Sequence, residues 1–329
     1  MVEVETVLVL GAGASCDFGF PTGEELLRQI CNMLRNTQSD QYRVLCELAK
    51  YPDTVDRFYN GLARADQPSV DAWLEHNPEF IDVGRWAIAM ALLEAERRSN
   101  LKAKRNWYKR LFRALDANYE DFCENQLKVI TFNYDRSLEK YLSDVFPYKY
   151  KQENSADHLK VLKSLRVYHI YGSLGPLEWQ CDKKEDAVPY GATVDYKTPA
   201  ARAIVHRAAR NIEIPAPEKN DIPTERTRTV LGLIGWAKAV YFLGFGFHEA
   251  NLRQLGMTRY WNAVYTGRKL MGTAWKLEYE DLSRVERISS GALGRSSKNL
   301  VQVKTHEFLT RFVGWNELDL PDGLPSYKL

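Results

Sequence analysis

The chain has no CxxC pair. Its five cysteines, Cys16, Cys31, Cys46, Cys123 and Cys181, are scattered and odd in number. That spacing excludes a zinc ribbon and argues against a disulfide framework. It predicts reduced thiols and a cytoplasmic location. No apolar run approaches the roughly 18 residues that a membrane-spanning helix needs. The N-terminus, MVEVETVLVLGAGAS, lacks a basic segment ahead of its short apolar run and does not read as a secretory signal. An excess of one charge is missing too. There are 45 Lys+Arg against 43 Asp+Glu in 329 residues, a net charge of +2, which argues against a general nucleic-acid binder. Internal repeats and low-complexity tracts are also absent. A content of 45% hydrophobic and 27% charged residues suits a globular chain that buries a large core without staples.

Several short apolar runs end in glycine or polar clusters. Residues 6–10 (TVLVL) read as a buried parallel strand and run into Gly11-Ala12-Gly13-Ala14-Ser15. Thr22-Gly23-Glu24-Glu25 fits a capping box, followed by a helical stripe of Leu26, Leu27, Ile30, Cys31 and Leu34. From about 40 to 120 the period is helical. The basic residues between Arg97 and Arg113 read as a solvated helix face. Strand character returns at 127–132 (LKVITF), 166–171 (RVYHIY), 239–243 (AVYFL), 269–277 and 300–303. Helices are expected near 200–210, 230–238, 279–288 and 307–312, and from 251 onward. Strands alternating with helices predict an α/β fold, a Rossmann-like, mostly parallel sheet flanked by helices. We expect one domain over 1–329. Its core comes from about 1–30, 125–176 and 228–329, with a helical insertion, or cap, at 31–124 and an irregular insertion at 177–227.

In open parallel sheets, ligands bind beyond the carboxyl ends of the strands. The unusual clusters GAGAS, FNYD, HIYGS and LGFGF all fall at such ends. A strand running into Gly-x-Gly permits a tight turn and close approach of backbone N–H groups to a phosphate. The dehydrogenase form of this motif needs a third small residue and an acidic residue about 20 positions on, at the end of a second strand. Here the third position is Cys16 and the following region is helical, which disfavours hydride transfer.

The segments LVLGAGASCDFGFPTGEEL, VITFNYDRSLEKYL, VYHIYGSLG and YFLGFGFHEANL occur in the order and approximate spacing of the sirtuin-like family. The chain resembles the bacterial branch found in anti-phage defence systems, over nearly its whole length. The resemblance implies that NAD+ is the substrate and that no metal is used. Gly11, Ala12, Gly13, Ala14 and Ser15 would line the phosphates and ribose. Asn133 would lie beneath the nicotinamide ribose, and Asp135 would bond the carboxamide. Gly244 and Gly246 would pack on the adenosine half. Tyr171 stands where the family commonly has His, with Gly172 and Ser173 completing that motif. His169, two residues earlier and on the same side of a strand, is then the candidate imidazole. The family's Asp in the fourth motif corresponds to Glu249. There is no zinc-binding lobe, which weighs against deacylation.

Cleaving the nicotinamide–ribose bond develops oxocarbenium character on the sugar, as glycoside cleavage does. The leaving group departs neutral, so a strong general acid is unnecessary. The site must orient the amide, support the ribose hydroxyls, deprotonate an incoming water late and exclude bulk solvent. Asn133, Asp135 and His169 supply those functions. The expectation is an NAD+ glycohydrolase that depletes NAD+ in anti-phage defence. It would act as a homo-oligomer, with a HerA-type translocase or another defence partner, and without nucleic acid or membrane. A non-catalytic NAD or ADP-ribose binding module and an ADP-ribosyltransferase are the alternatives. Each residue also has a structural reading. Asn133 and Asp135 suit turns or helix caps, His169 a core position, His248 and Glu249 a helix start, and Ser15 a turn hydroxyl.

Overall fold

Strand β1 (Thr6–Leu10) is buried along its whole length, and the two-residue period of a strand divides its side chains between two cores. Val7 and Val9 join one, Leu8 and Leu10 the other. In the computed structural model, which describes residues 1–150, 161–214 and 224–316, β1 lies between β2 (Leu127–Thr131) and β4 (Ala239–Leu243). Outside β2 is β3 (Arg166–His169). Outside β4 come β5 (Lys269–Thr273) and β6 (Leu300–Val301). All six strands are parallel, in the order β3-β2-β1-β4-β5-β6. The fold is therefore α/β with a doubly wound, Rossmann-like strand order. Its reversal point lies between β1 and β4.

The chain between β1 and β2 is helical. Helix α1 (Gly23–Arg35) opens on the expected capping box, in which Thr22 accepts from the Glu25 N–H and Glu25 from the Thr22 N–H. Leu26, Ile30 and Leu34 form its buried stripe. Helices α2 (Asp40–Ala49), α3 (Pro52–Arg64), α4 (Val70–His76) and α5 (Ile81–Arg98) follow. They pack with α1 on the Val7 side of the sheet. Helix α6 (Trp107–Ala114) lies on the Leu8 side, beside α7 (Ser137–Tyr150). Segment 31–124 thus contributes to both helical layers. The charge run meets its bland reading in part: Arg97 and Arg98 pair with Glu94 on an exposed face.

A buried ion pair ties the layers together. Arg136 donates to both Glu96 oxygens, at 3.0 and 2.6 Å, and to the carbonyls of Gly175 and Val188. Its side chain is 1% exposed and that of Glu96 0%. Segment 177–214 is largely irregular, with a helix at Pro199–Ala209. Pro215, Pro217 and Pro223 of the expected insertion lie outside the described residues.

Some strands are shorter than the apolar runs imply. The run at 166–171 stops at His169, because Gly172 turns the backbone to φ +69° and bridges to Ile212. The run at 269–277 stops at Thr273, and Lys276 takes φ +60°. The helix expected at 230–238 starts earlier, at Glu225, capped by Thr224. Among the described residues, no helix is long and apolar enough to cross a membrane.

Candidate functional site

The loops that follow β1, β2 and β4 meet at the reversal point of the sheet. The Gly11 N–H donates to the Leu243 carbonyl and the Gly13 N–H to the Gly244 carbonyl, each at 3.0 Å. A Cβ on Gly11 would lie 2.5 Å from the Gly244 oxygen, and one on Gly13 2.9 Å from it. Gly244 has φ +56°, and a Cβ there would lie 2.0 Å from the Ala14 nitrogen. These glycines are required by the mutual approach of two loops. Gly13 is nevertheless exposed, with Ala12, Gly244 and Gly246 half-buried beside it. Trp107 of α6 clamps the first loop by donating its indole N–H to the Ala14 carbonyl at 2.8 Å.

Asn133 sits just beyond β2 and is buried. Its Nδ2 donates to the Gly11 carbonyl and to the Ser15 hydroxyl, both at 3.1 Å. Its Oδ1 is buried with no hydrogen-bond partner among the described residues. Asp135 accepts from the backbone N–H and the hydroxyl of Ser137, as a residue capping the start of α7 does. Burial pushes its pKa up, while hydrogen bonds from Ser137 and Ser15 pull it back. Ser15 is itself buried, and the Tyr108 hydroxyl lies 2.5 Å from that of Ser137. Asn133, Ser15, Asp135, Ser137 and Tyr108 therefore form one interior polar network.

His169 ends β3 with both ring nitrogens engaged. Nδ1 lies 2.9 Å from the Asn133 carbonyl oxygen and Nε2 2.7 Å from Glu139 Oε1. Burial alone would lower its pKa, but the Glu139 carboxylate and the Asn133 carbonyl outweigh it, so the imidazolium is favoured. Tyr171 has different partners. It donates to Asn251 Oδ1 at 2.8 Å and packs on Phe132 and Tyr134, with centroids 5.5 and 6.4 Å away. The same-side expectation for His169 and Tyr171 does not hold, because the strand ends between them. Gly172 answers a close approach: a Cβ there would lie 1.8 Å from the Asn211 carbonyl oxygen. The Ser173 hydroxyl accepts from the Gly175 N–H.

His248 is the residue before the helix Glu249–Gln254, and Glu249 pairs with Arg253, so both meet the helix-start reading. A Cβ on Gly246 would meet the His248 ring. Phe132, Tyr134, Tyr171 and Phe245 pack together on the Val7 side of the sheet. Tyr134 donates to Asp71 of α4, and Glu75 of the same helix pairs with Arg253 at 3.1 Å. Apart from these loops, between α4, the helix from Glu225 and residues 253–260, lies a cavity of about 320 Å3, lined by His76, Thr227, Arg253, Thr258 and Arg259 among others.

Sequence reasoning missed Glu139, Tyr108 and Asp71. Each comes from a helix face, and Tyr108 and Asp71 have no local signature. Glu139 alone had a signal, since it falls on the first turn of the helix after FNYD. No group of three or more His, Cys, Asp or Glu among the described residues could hold a metal. Compared with known proteins, the chain matches no family model and no curated sequence.

Proposed function

We propose that the chain is a sirtuin-like enzyme that hydrolyses NAD+ at the nicotinamide–ribose bond: water adds to the ribose carbon as neutral nicotinamide leaves, and ADP-ribose and a proton are released. The observation that carries this reading is the Asn133 amide. Its Nδ2 is fixed by Gly11 and Ser15, while its Oδ1 is a buried acceptor without a donor among the described residues. Such an atom carries a desolvation cost of about 1–3 kcal/mol until a donor meets it. A ribose hydroxyl is a donor of the right kind, and the reversal point of a doubly wound sheet is where dinucleotides bind. Gly13 is exposed beside it and allows a pyrophosphate to come close, although its N–H is given to the Gly244 carbonyl.

On this reading Asn133 is the catalytic residue and orients the ribose through Oδ1. Ser15 and Asp135 hold that amide and the start of α7 in place. His169 is a positioning residue on the Asn133 carbonyl. The physiological part of the proposal is an anti-phage effector that depletes NAD+ and is held silent at rest. It would assemble as a homo-oligomer and with a HerA-type translocase or similar partner. Light scattering of the chain, alone and co-expressed with its genomic neighbour, tests that part, and monomers in both runs count against it.

A second reading is a non-catalytic module that binds NAD+ or ADP-ribose. Two observations favour it: Tyr171, in the family's His place, is tied to Asn251, and neither His169 nitrogen is free. Incubation with NAD+, followed by chromatography for nicotinamide, separates the two. The first reading expects nicotinamide release that Asn133→Ala abolishes. That variant should stay folded with a modestly lower midpoint, since its two lost hydrogen bonds cost about 2 kcal/mol together and removal of the unanswered Oδ1 offsets part of that. NAD+ binding by calorimetry without nicotinamide release supports the module. Neither binding nor release refutes both.

A further inference from the structure

Beside the outer edge of β3, and reached from Asn133 through His169 and Glu139, lies a cavity of about 470 Å3. Small-molecule sites commonly have this size. Its walls are largely apolar, with Leu142 of α7, Leu162, Leu165 and Val167 among them. Glu139 also lines it, but that carboxylate is matched by His169. The indole N–H of Trp179, another lining residue, is buried with no acceptor among the described residues, and an indole can only donate.

Two cations, Lys163 and Arg166, also line the cavity, and both are exposed. Neither has a carboxylate partner in the ion pairs among the described residues. Their surroundings are positive in a second respect. Lys128 lies beside Arg166 in the β2–β3 register, and its pKa is lowered by burial and by the Arg166 charge.

An apolar interior, with an N–H donor and two cations that have no partner among the described residues, describes the complement of one ligand class. We propose that this cavity binds a small apolar carboxylate. Its chain lies against Leu142, Leu162 and Leu165, and its head group meets the Trp179 N–H, Lys163 and Arg166. The inference is independent of the proposed NAD+ chemistry, because its readout is binding alone.

The test is calorimetric titration of the full chain with decanoate, kept below its micellar concentration, and in parallel with decanol. Decanoate should bind saturably. Decanol offers the same chain without the charge and should bind about tenfold more weakly or worse, since charge-assisted hydrogen bonds are the strong ones. The double variant Lys163→Gln/Arg166→Gln changes only exposed side chains and keeps the fold. It should lose about tenfold in decanoate affinity while leaving decanol unaffected. Trp179→Phe keeps the apolar bulk, removes the donor, and should lose a smaller factor. No decanoate binding, equal affinity for decanoate and decanol, or wild-type affinity in the double variant would each overturn the proposal.

Discussion

His169 shows how a single side chain can be read from its partners. With a backbone carbonyl on Nδ1 and Glu139 on Nε2, its proton is held rather than offered. A histidine whose pKa rises on folding stabilises the fold fully below its unfolded value, 6.5 here. That contribution is lost as pH rises through the folded value. Glu139→Gln should therefore destabilise the protein most at slightly acid pH, with the gap to wild type narrowing toward pH 9. Urea melts across that range check this, and a pH-independent gap would refute it. Cys16 gives a second prediction at this scale. Burial, reinforced by Glu25, Asp17 and Asp135, pushes its thiol up to about 11, so thiolate is scarce at neutral pH. In a timed alkylation read by mass spectrometry, exposed Cys123 should label early and Cys16 late.

At the scale of elements, the Arg136–Glu96 pair joins α5, the start of α7 and the loops around Gly175, Val188 and Gly191. Arg136→Ala leaves the Glu96 carboxylate buried and alone, which should cost about 3–5 kcal/mol. Arg136→Met with Glu96→Leu removes both charges and should recover most of that loss, as denaturant midpoints would show. The same pair marks the limit of what the sequence discloses. Strands β1, β2 and β4 were legible because a strand buried on both faces reads as an unbroken apolar run. The capping box of α1 was legible because its four residues are local. Arg136 was not, because its partner lies 40 positions away and no local pattern distinguishes a buried arginine from a solvated one. The tip of β3 was misjudged for a related reason. The apolar run continues to Tyr171, but the contact of Gly172 with Asn211 ends the pairing. At the candidate site, the residues after β2 stand out in the sequence only by their position at a strand end. Their bonds to Ser15, Ser137 and Tyr108 depend on packing that only the fold supplies.

For the whole molecule, the strand order places the first strand of the chain in the middle of the sheet. Thr6 pairs with Leu127 on one side and Ala239 on the other. Contacts so distant in sequence make folding slow, because loop closure precedes any reward from pairing. Refolding from urea should show a slow phase whose yield falls as protein concentration rises, measurable by light scattering beside fluorescence. A concentration-independent yield would speak against this. On the ribosome the effect is sharper. At ordinary synthesis rates β1 emerges on the order of ten seconds or more before β4. Through that interval TVLVL is an apolar ribbon with bare edges, a natural client for a chaperone that shields nascent chains.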